Sequence, residues 1–322
     1  MFARQVLTGV TGFAAGSGLV YLYLQKKKEN TALVPSSSLQ PLPIGLPKGV
    51  KASDFFKYGF PGPVHDLEDR GAFVSCYNRQ TRNPYWVVEH MTPESLSTRA
   101  ADRKNSIFTE DEVIPEMFRS KLADYFRSGY DRGHQVPAAD VKFSQSAMDN
   151  TFYLTNISPQ VGEGFNRDYW AHLEYFCRGL TKKYNSVRVV TGPLYLPKWD
   201  PAEKKYKVSY EVIGNPPNVA VPTHFFKLII AEGPKNDSKN DNLAVATFVL
   251  PNERIPNETK LLDFEVPLNA LERSSGLEFL KNVPTNKQRR LCEEVNCQIV
   301  VRDFSNANNR FKKDKPSLPT KK

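Results

Sequence analysis

The sequence predicts an α+β domain: a largely antiparallel sheet core with packed helices. Three observations carry this. Strand-like runs outnumber helical ones, the two kinds do not alternate as a βαβ chain requires, and no break in composition divides residues 53–306. The chain has 322 residues, 40% of them hydrophobic and 25% charged, which is enough apolar content for a large core.

Taken in order, AFVSCYN (72–78) and YWVVEHM (85–91) are β-rich runs. Arg-Gln-Thr-Arg-Asn-Pro separates them, in a hairpin pattern. MFRSKLADYF (117–126) reads as a helix. RDYWAHLEYFCRGLTKKY (167–184) is a second helix, with apolar residues at helical period. SVRVVTGPLYL (186–196), KVSYEVIG (207–214), THFFKLIIAE (223–232) and LAVATFVLP (243–251) read as strands. NALERSSGLEFL (269–280) completes the set as a helix.

The flanks differ from this region. In residues 1–28 Arg4 is the only charge before Lys26, and Val6 to Leu24 is nearly uncharged and about as long as a membrane span. Gly12 and Gly16 make a GxxxG spacing suited to close helix packing in lipid. A cleaved secretory signal lacks a small-x-small site here, whereas the absence of acidic residues before Glu29 suits a mitochondrial presequence. We expect a membrane anchor combined with mitochondrial targeting, associated with the inner membrane. Residues 29–52, rich in Pro and Ser, read as a tether, and the basic stretch 307–322 reads as a disordered tail.

Lys and Arg number 44 against 35 acidic residues, giving a net charge of +9. Such a balance suits a soluble basic surface, a nucleic acid or an anionic membrane, and charge alone does not choose among them. The cysteines, Cys76, Cys177, Cys292 and Cys297, form no CxxC pair, so neither a disulfide framework nor a zinc site is expected. Cys177 lies on the apolar stripe of its helix and reads as a buried small hydrophobe.

Chemistry concentrates in Asp131-Arg132-Gly133-His134 and in the helix that follows. In an extended backbone Arg132 and His134 point the same way, and Gly133 between them leaves room for another backbone or a phosphate. On the helix, Trp170, Leu173, Cys177 and Leu180 form the apolar stripe, with Asn166 and Glu174 on its borders. An amide oxygen and a carboxylate so placed can hold Mg²⁺ directly and through a bound water. The bland alternative makes Asn166 an N-cap and Glu174–Arg178 an ordinary i,i+4 ion pair. Phosphodiester hydrolysis needs a base for water, an offset for phosphoryl charge and help for the leaving oxygen. His134 can supply the first, a metal at Asn166 the others, and Arg132, Arg103 and Arg178 can contact phosphate.

DRGHQVPAAD, TNISPQVGEGFNRDYWAHLE and ADRKNSIF together resemble the DNA/RNA non-specific endonucleases with a ββα-metal (His-Me) finger. The similarity is greatest to mitochondrial endonuclease G and its fungal relatives, and it runs from about Phe55 to Phe304. The ordered set of DRGH, then Asn, then Glu eight residues on is specific. It implies His134 as general base, Asn166 as direct metal ligand and Glu174 as the carboxylate holding a metal-bound water. Arg132 and Arg178 match basic positions of the site, and Arg103 matches a phosphate-contacting arginine. The resemblance further implies Mg²⁺ or Mn²⁺ dependence, cleavage of DNA and RNA to leave 5′-phosphates, and a homodimer. It also suggests roles in mitochondrial DNA turnover and programmed cell death.

Other residues read more plainly. His172 lies on the polar side of the helix and is expected to be solvated, while His65, His90 and His224 have no ligand-like spacing. Asp131 and Asp140 are expected to cap loops or fix backbone, and Phe165 and Tyr169 could stack bases where Trp170 is core. Two other functions remain open at this point: a membrane-tethered nucleic-acid binder without catalysis, and a metal-dependent phosphodiesterase of small substrates or lipid headgroups.

Overall fold

Seven strands form one twisted sheet in a computed structural model that describes residues 52–59, 66–234 and 242–299. The expected anchor (1–28), the tether apart from Ala52, the basic tail (307–322) and His65 lie outside those residues. No helix among the described residues is long and apolar enough to cross a membrane.

In chain order the strands are β1 (Asp66–Asp69), β2 (Phe73–Asn78), β3 (Asn83–Met91), β4 (Asp131–His134) and β5 (Ile157–Gln160). Next come β6 (Tyr184–Leu194), β7 (Lys198–Asp200), β8 (Lys205–Lys207), β9 (Val212–Ile213) and β10 (Val219–Ala220). Last are β11 (His224–Pro234), β12 (Leu243–Pro251) and β13 (Gln288–Arg290). The large sheet runs β1-β2-β3-β6-β11-β12-β13, antiparallel throughout except for the β12–β13 edge. The α-helices are α1 (Pro93–Ser97), α2 (Leu122–Tyr125), α3 (Gln145–Asn150), α4 (Ala171–Leu180), α5 (Leu268–Ser275) and α6 (Leu291–Glu294). An α+β fold on a mainly antiparallel sheet is therefore what the residues form.

Two expected elements are broken. In residues 117–126 only two short turns form, Glu116–Phe118 and α2, because the segment has no continuous apolar stripe: Met117 and Phe126 are exposed. KVSYEVIG yields the ends of two small ribbons, β8 and β9, with extended chain between them. Along it Val208, Tyr210 and Val212 are exposed, as is Tyr206 just before it, so no apolar face docks on the main sheet.

The sheet is buried on both faces, and alternation along β11 assigns each residue a side. Phe225, Ile229 and Ala231 join the core beneath α4, while Phe226, Leu228 and Ile230 join the opposite core with Leu271 of α5. Lys227 falls on the α4 side and is only 1% exposed. Its ammonium donates to Thr191 Oγ1 and lies 4.7 Å from the Trp170 ring centroid. A buried cation thus sits under the helix that carries Asn166 and Glu174.

Candidate active site

β4 and β5 form a separate two-stranded antiparallel ribbon, in which Asp131 faces Gln160 and His134 faces Ile157. The chain then turns into a π-helical segment, Gly162–Trp170, that runs on into α4, and β4 packs against it. Glu163 and Gly164 depart from helical angles, and Gly164 has φ of +80°, which explains a glycine at this bend. Strand, strand and helix together make the ββα arrangement.

His134 is 7% exposed and sits in an aromatic cage. Its ring centroid lies 4.7 Å from that of Phe152 and 5.4 Å from that of Phe108. The two phenylalanines pack on each other at 4.9 Å. Arg132 lies over Phe108 at 4.3 Å and Arg103 over Phe152 at 5.4 Å, so both guanidiniums rest on the cage that holds the imidazole. Burial, aided by the Arg103 charge, pushes the His134 pKa down to about 3 and keeps the ring neutral. Its Nε2 is buried without a hydrogen-bond partner. Neither Phe108, at the end of ADRKNSIF, nor Phe152 carries a local sequence signature of the imidazole that it covers.

Gly133 serves a different neighbour from the one expected. A Cβ there would meet Gln160 Oε1 at 2.0 Å, so the missing side chain makes room for Gln160 and not for a phosphate.

Asn166 and Glu174 border the core as predicted, since Trp170, Leu173, Cys177 and Leu180 are all buried. Asn166 Nδ2 donates to Asp131 Oδ2 at 2.9 Å, which leaves its amide oxygen as the group on offer. Asp131 also accepts from Arg167 Nε at 2.7 Å and from its terminal nitrogen at 2.5 Å. Burial would raise the Asp131 pKa, but these hydrogen bonds outweigh it and hold the carboxyl below its usual range. Asp131 is thus bonded to side chains and orients the helix, where a backbone cap was expected.

The Glu174–Arg178 ion pair of the bland alternative does not form. Arg178 instead donates to Asp140 Oδ1 at 2.5 Å, and Asp140 is 3% exposed. Asp140, expected to cap a loop, is the guanidinium's counterion. Glu174 makes no hydrogen bond or ion pair among the described residues, and burial raises its pKa to about 7 against the pull of Lys227 and Arg178. Glu89 on β3 is 3% exposed, and burial, helped by the Asp140 charge, raises its pKa well above the usual carboxylate range.

His172 is 9% exposed and its Nδ1 lies 2.6 Å from the Asp168 carbonyl, so it is packed and not solvated. Phe165, Tyr169 and Trp170 are all fully buried, which removes the first two as base-stacking groups. His90 is buried on β3, and His224 Nδ1 contacts Thr223 Oγ1. Cys292 and Cys297 form one local disulfide, a bridge that the expectation of no framework did not include; Cys76 and Cys177 are buried thiols.

Among the described residues no three His, Cys, Asp or Glu side chains cluster as a metal cage. One amide oxygen, oriented by Asp131, and one carboxylate without a partner do fit a hard ion that keeps most of its waters.

A strand–strand–helix unit bearing an imidazole, an amide and a carboxylate is the arrangement of the ββα-metal class. Residues 51–286 match the sequence profile of the family described as DNA/RNA non-specific endonuclease. The Mitochondrial nuclease of Saccharomyces cerevisiae is 65% identical over 330 residues, covering 100% of this chain and 99% of that protein. Nuclease 1, mitochondrial, of Schizosaccharomyces pombe is 55% identical over 253 residues, 79% of this chain and 78% of that one. In the crystal structure of the EndoG/EndoGI complex, a chain 44% identical matches with a TM-score of 0.69 over 74% of this chain and 97% of its own. The chain belongs to the DNA/RNA non-specific endonuclease family, and it is an endonuclease. Nucleases of this family depend on a metal ion.

Proposed function

We propose that this endonuclease hydrolyses phosphodiester bonds of DNA and RNA with His134 as general base and one Mg²⁺ or Mn²⁺ held by Asn166 directly and by Glu174 through water. When bound, the ion offsets phosphoryl charge and stabilises the leaving oxygen. The carrying observation is the division of the site. A neutral imidazole with an unpartnered Nε2 lies on one strand, and a free carboxylate with an oriented amide lies on the adjoining helix.

His134 Nε2, held in its cage, takes the proton from the attacking water. A substrate phosphate beside the imidazole favours the imidazolium that results, so proton uptake becomes easier once substrate is bound. Arg132 and Arg103, laid on the same aromatic pair, stand ready for the phosphate on the base side, and Arg178 on the helix side. Contacts of this kind read backbone and not bases, which supports low sequence preference. Displacement of the 3′-oxygen leaves 5′-phosphate ends. The mitochondrial names of the relatives and the acid-free apolar N-terminus support a mitochondrial enzyme attached to the inner membrane. Work in mitochondrial DNA turnover and programmed cell death belongs to the same reading. A homodimer belongs to the same reading.

Plasmid and RNA digestion by wild type and His134→Ala, with EDTA, Mg²⁺ or Mn²⁺, tests this reading. Metal-dependent cleavage of both polymers by the wild type alone is expected. Digestion by His134→Ala at the wild-type rate would refute the assignment.

A further inference from the structure

The helix offers Arg178 a partner that it does not take. Glu174 precedes it by four residues, the spacing and order in which an acidic and a basic side chain pair best on an α-helix. Arg178 instead reaches Asp140, whose side chain is 2% exposed while that of Arg178 is 20% exposed. Asp140 ends the tight turn Ala138–Asp140, a few residues after His134, so its position is fixed by the same segment that follows the base. Asp140 is itself 3% exposed, so its carboxylate is held in place by the surrounding packing. The carboxylate that wins Arg178 is therefore the anchored one.

We propose that Asp140 is a positioning residue that draws the Arg178 guanidinium off Glu174, leaving the Glu174 carboxylate open toward the metal-bound water. The inference rests on the reading of Glu174 given under the proposed function. A guanidinium paired with Glu174 would compete with the cation for the same oxygens, because opposite charges at contact in a half-buried setting attract strongly. Drawn to Asp140, the same guanidinium stays beside the site as a phosphate contact. The pair also ties the segment after β4 to the last turn of α4, as Asp131 with Asn166 and Arg167 ties the start of β4 to the first turns.

The test is Mn²⁺ binding by the full chain, followed by electron paramagnetic resonance without nucleic acid, beside cleavage assays. Asp140→Asn keeps the shape and removes the charge, and should weaken Mn²⁺ binding by about tenfold, the scale of a lost metal-supporting partner. The double variant Asp140→Asn/Arg178→Gln removes the competing guanidinium and should recover affinity to within roughly threefold of wild type. Asp140→Glu keeps the charge and should bind Mn²⁺ nearly as wild type does, which serves as the reading if Asp140→Asn does not fold. Wild-type affinity in Asp140→Asn, equal weakness in the double variant, or a tenfold loss in Asp140→Glu would each overturn the proposal. Glu174→Gln is run alongside. If it leaves Mn²⁺ affinity unchanged, the metal role of Glu174 itself fails, a result distinct from failure at Asp140 alone.

Discussion

The two halves of the site are built from opposite materials, yet burial does the same thing to both. His134 sits among Phe108 and Phe152, and its pKa is pushed down to about 3. Glu174 lies within reach of the charges of Lys227, Arg178, Asp140 and Arg103, and burial pushes its pKa up to about 7. Taking a group out of water disfavours its charged form, so a base is depressed and an acid is raised. In both groups burial disfavours the charged form. On the proposed assignment, a bound cation would favour the Glu174 carboxylate and a bound phosphate the His134 imidazolium.

The sharpest way to break this division is to remove the base. His134→Ala should lower the cleavage rate by about a thousandfold, within the usual range for a general base, while DNA affinity stays within roughly threefold. Rate measured at saturating metal, beside a filter-binding or fluorescence titration, separates the two. Next in size is the metal side. Asp131→Ala frees the Asn166 amide to turn and should raise the Mn²⁺ concentration for half-maximal activity by about 10–100-fold. An unchanged metal requirement would mean that Asn166 needs no orienting.

A smaller change tests the cage. Phe152→Leu thins the apolar wall and should move the His134 pKa upward by about one unit, read from imidazole NMR signals, at a stability cost of about 1 kcal/mol. A pKa that stays near 3 would show that Phe152 does not set it. The smallest expected effect is on stability against pH. The folded pKa of Glu174 lies above its unfolded value, so its contribution is complete below about pH 4.5 and is lost as pH rises through about 7. Glu174→Gln should therefore melt about 2–4 °C higher than wild type at pH 8 without metal, an advantage that fades below pH 5. For His134 the sign is reversed: stability is lost as pH falls from about 6.5 toward 3, because only the unfolded chain takes up the proton.

The sequence was most legible where one periodicity served one purpose. The strands 72–78, 85–91, 223–232 and 243–251 bury both faces and appear close to where their apolar runs place them. The stripe through Trp170, Leu173, Cys177 and Leu180 likewise located Asn166 and Glu174 on its borders. Reading failed where a tertiary partner overrode a local one. Arg178 had a suitable acid four residues back and bonded to Asp140 instead, 38 residues away. Gly133 seemed open for a ligand, yet Gln160 fills the space. Phe108 and Phe152 reach His134 from other segments of the chain, through contacts that no helical or strand period reports. Segment 117–126 had helix-forming residues without an apolar stripe to dock, so only short turns formed.

The division of labour is tested most directly by counting protons released when Mn²⁺ binds at pH 6, using calorimetry in buffers of different ionisation enthalpy. With a pKa of about 7, Glu174 is largely protonated at that pH before metal arrives, whereas His134 is already neutral. The account predicts release of close to one proton in the wild type and in His134→Ala, and almost none in Glu174→Gln. Release that persists in Glu174→Gln and disappears in His134→Ala would mean that the proton comes from the histidine and not from Glu174, the opposite result.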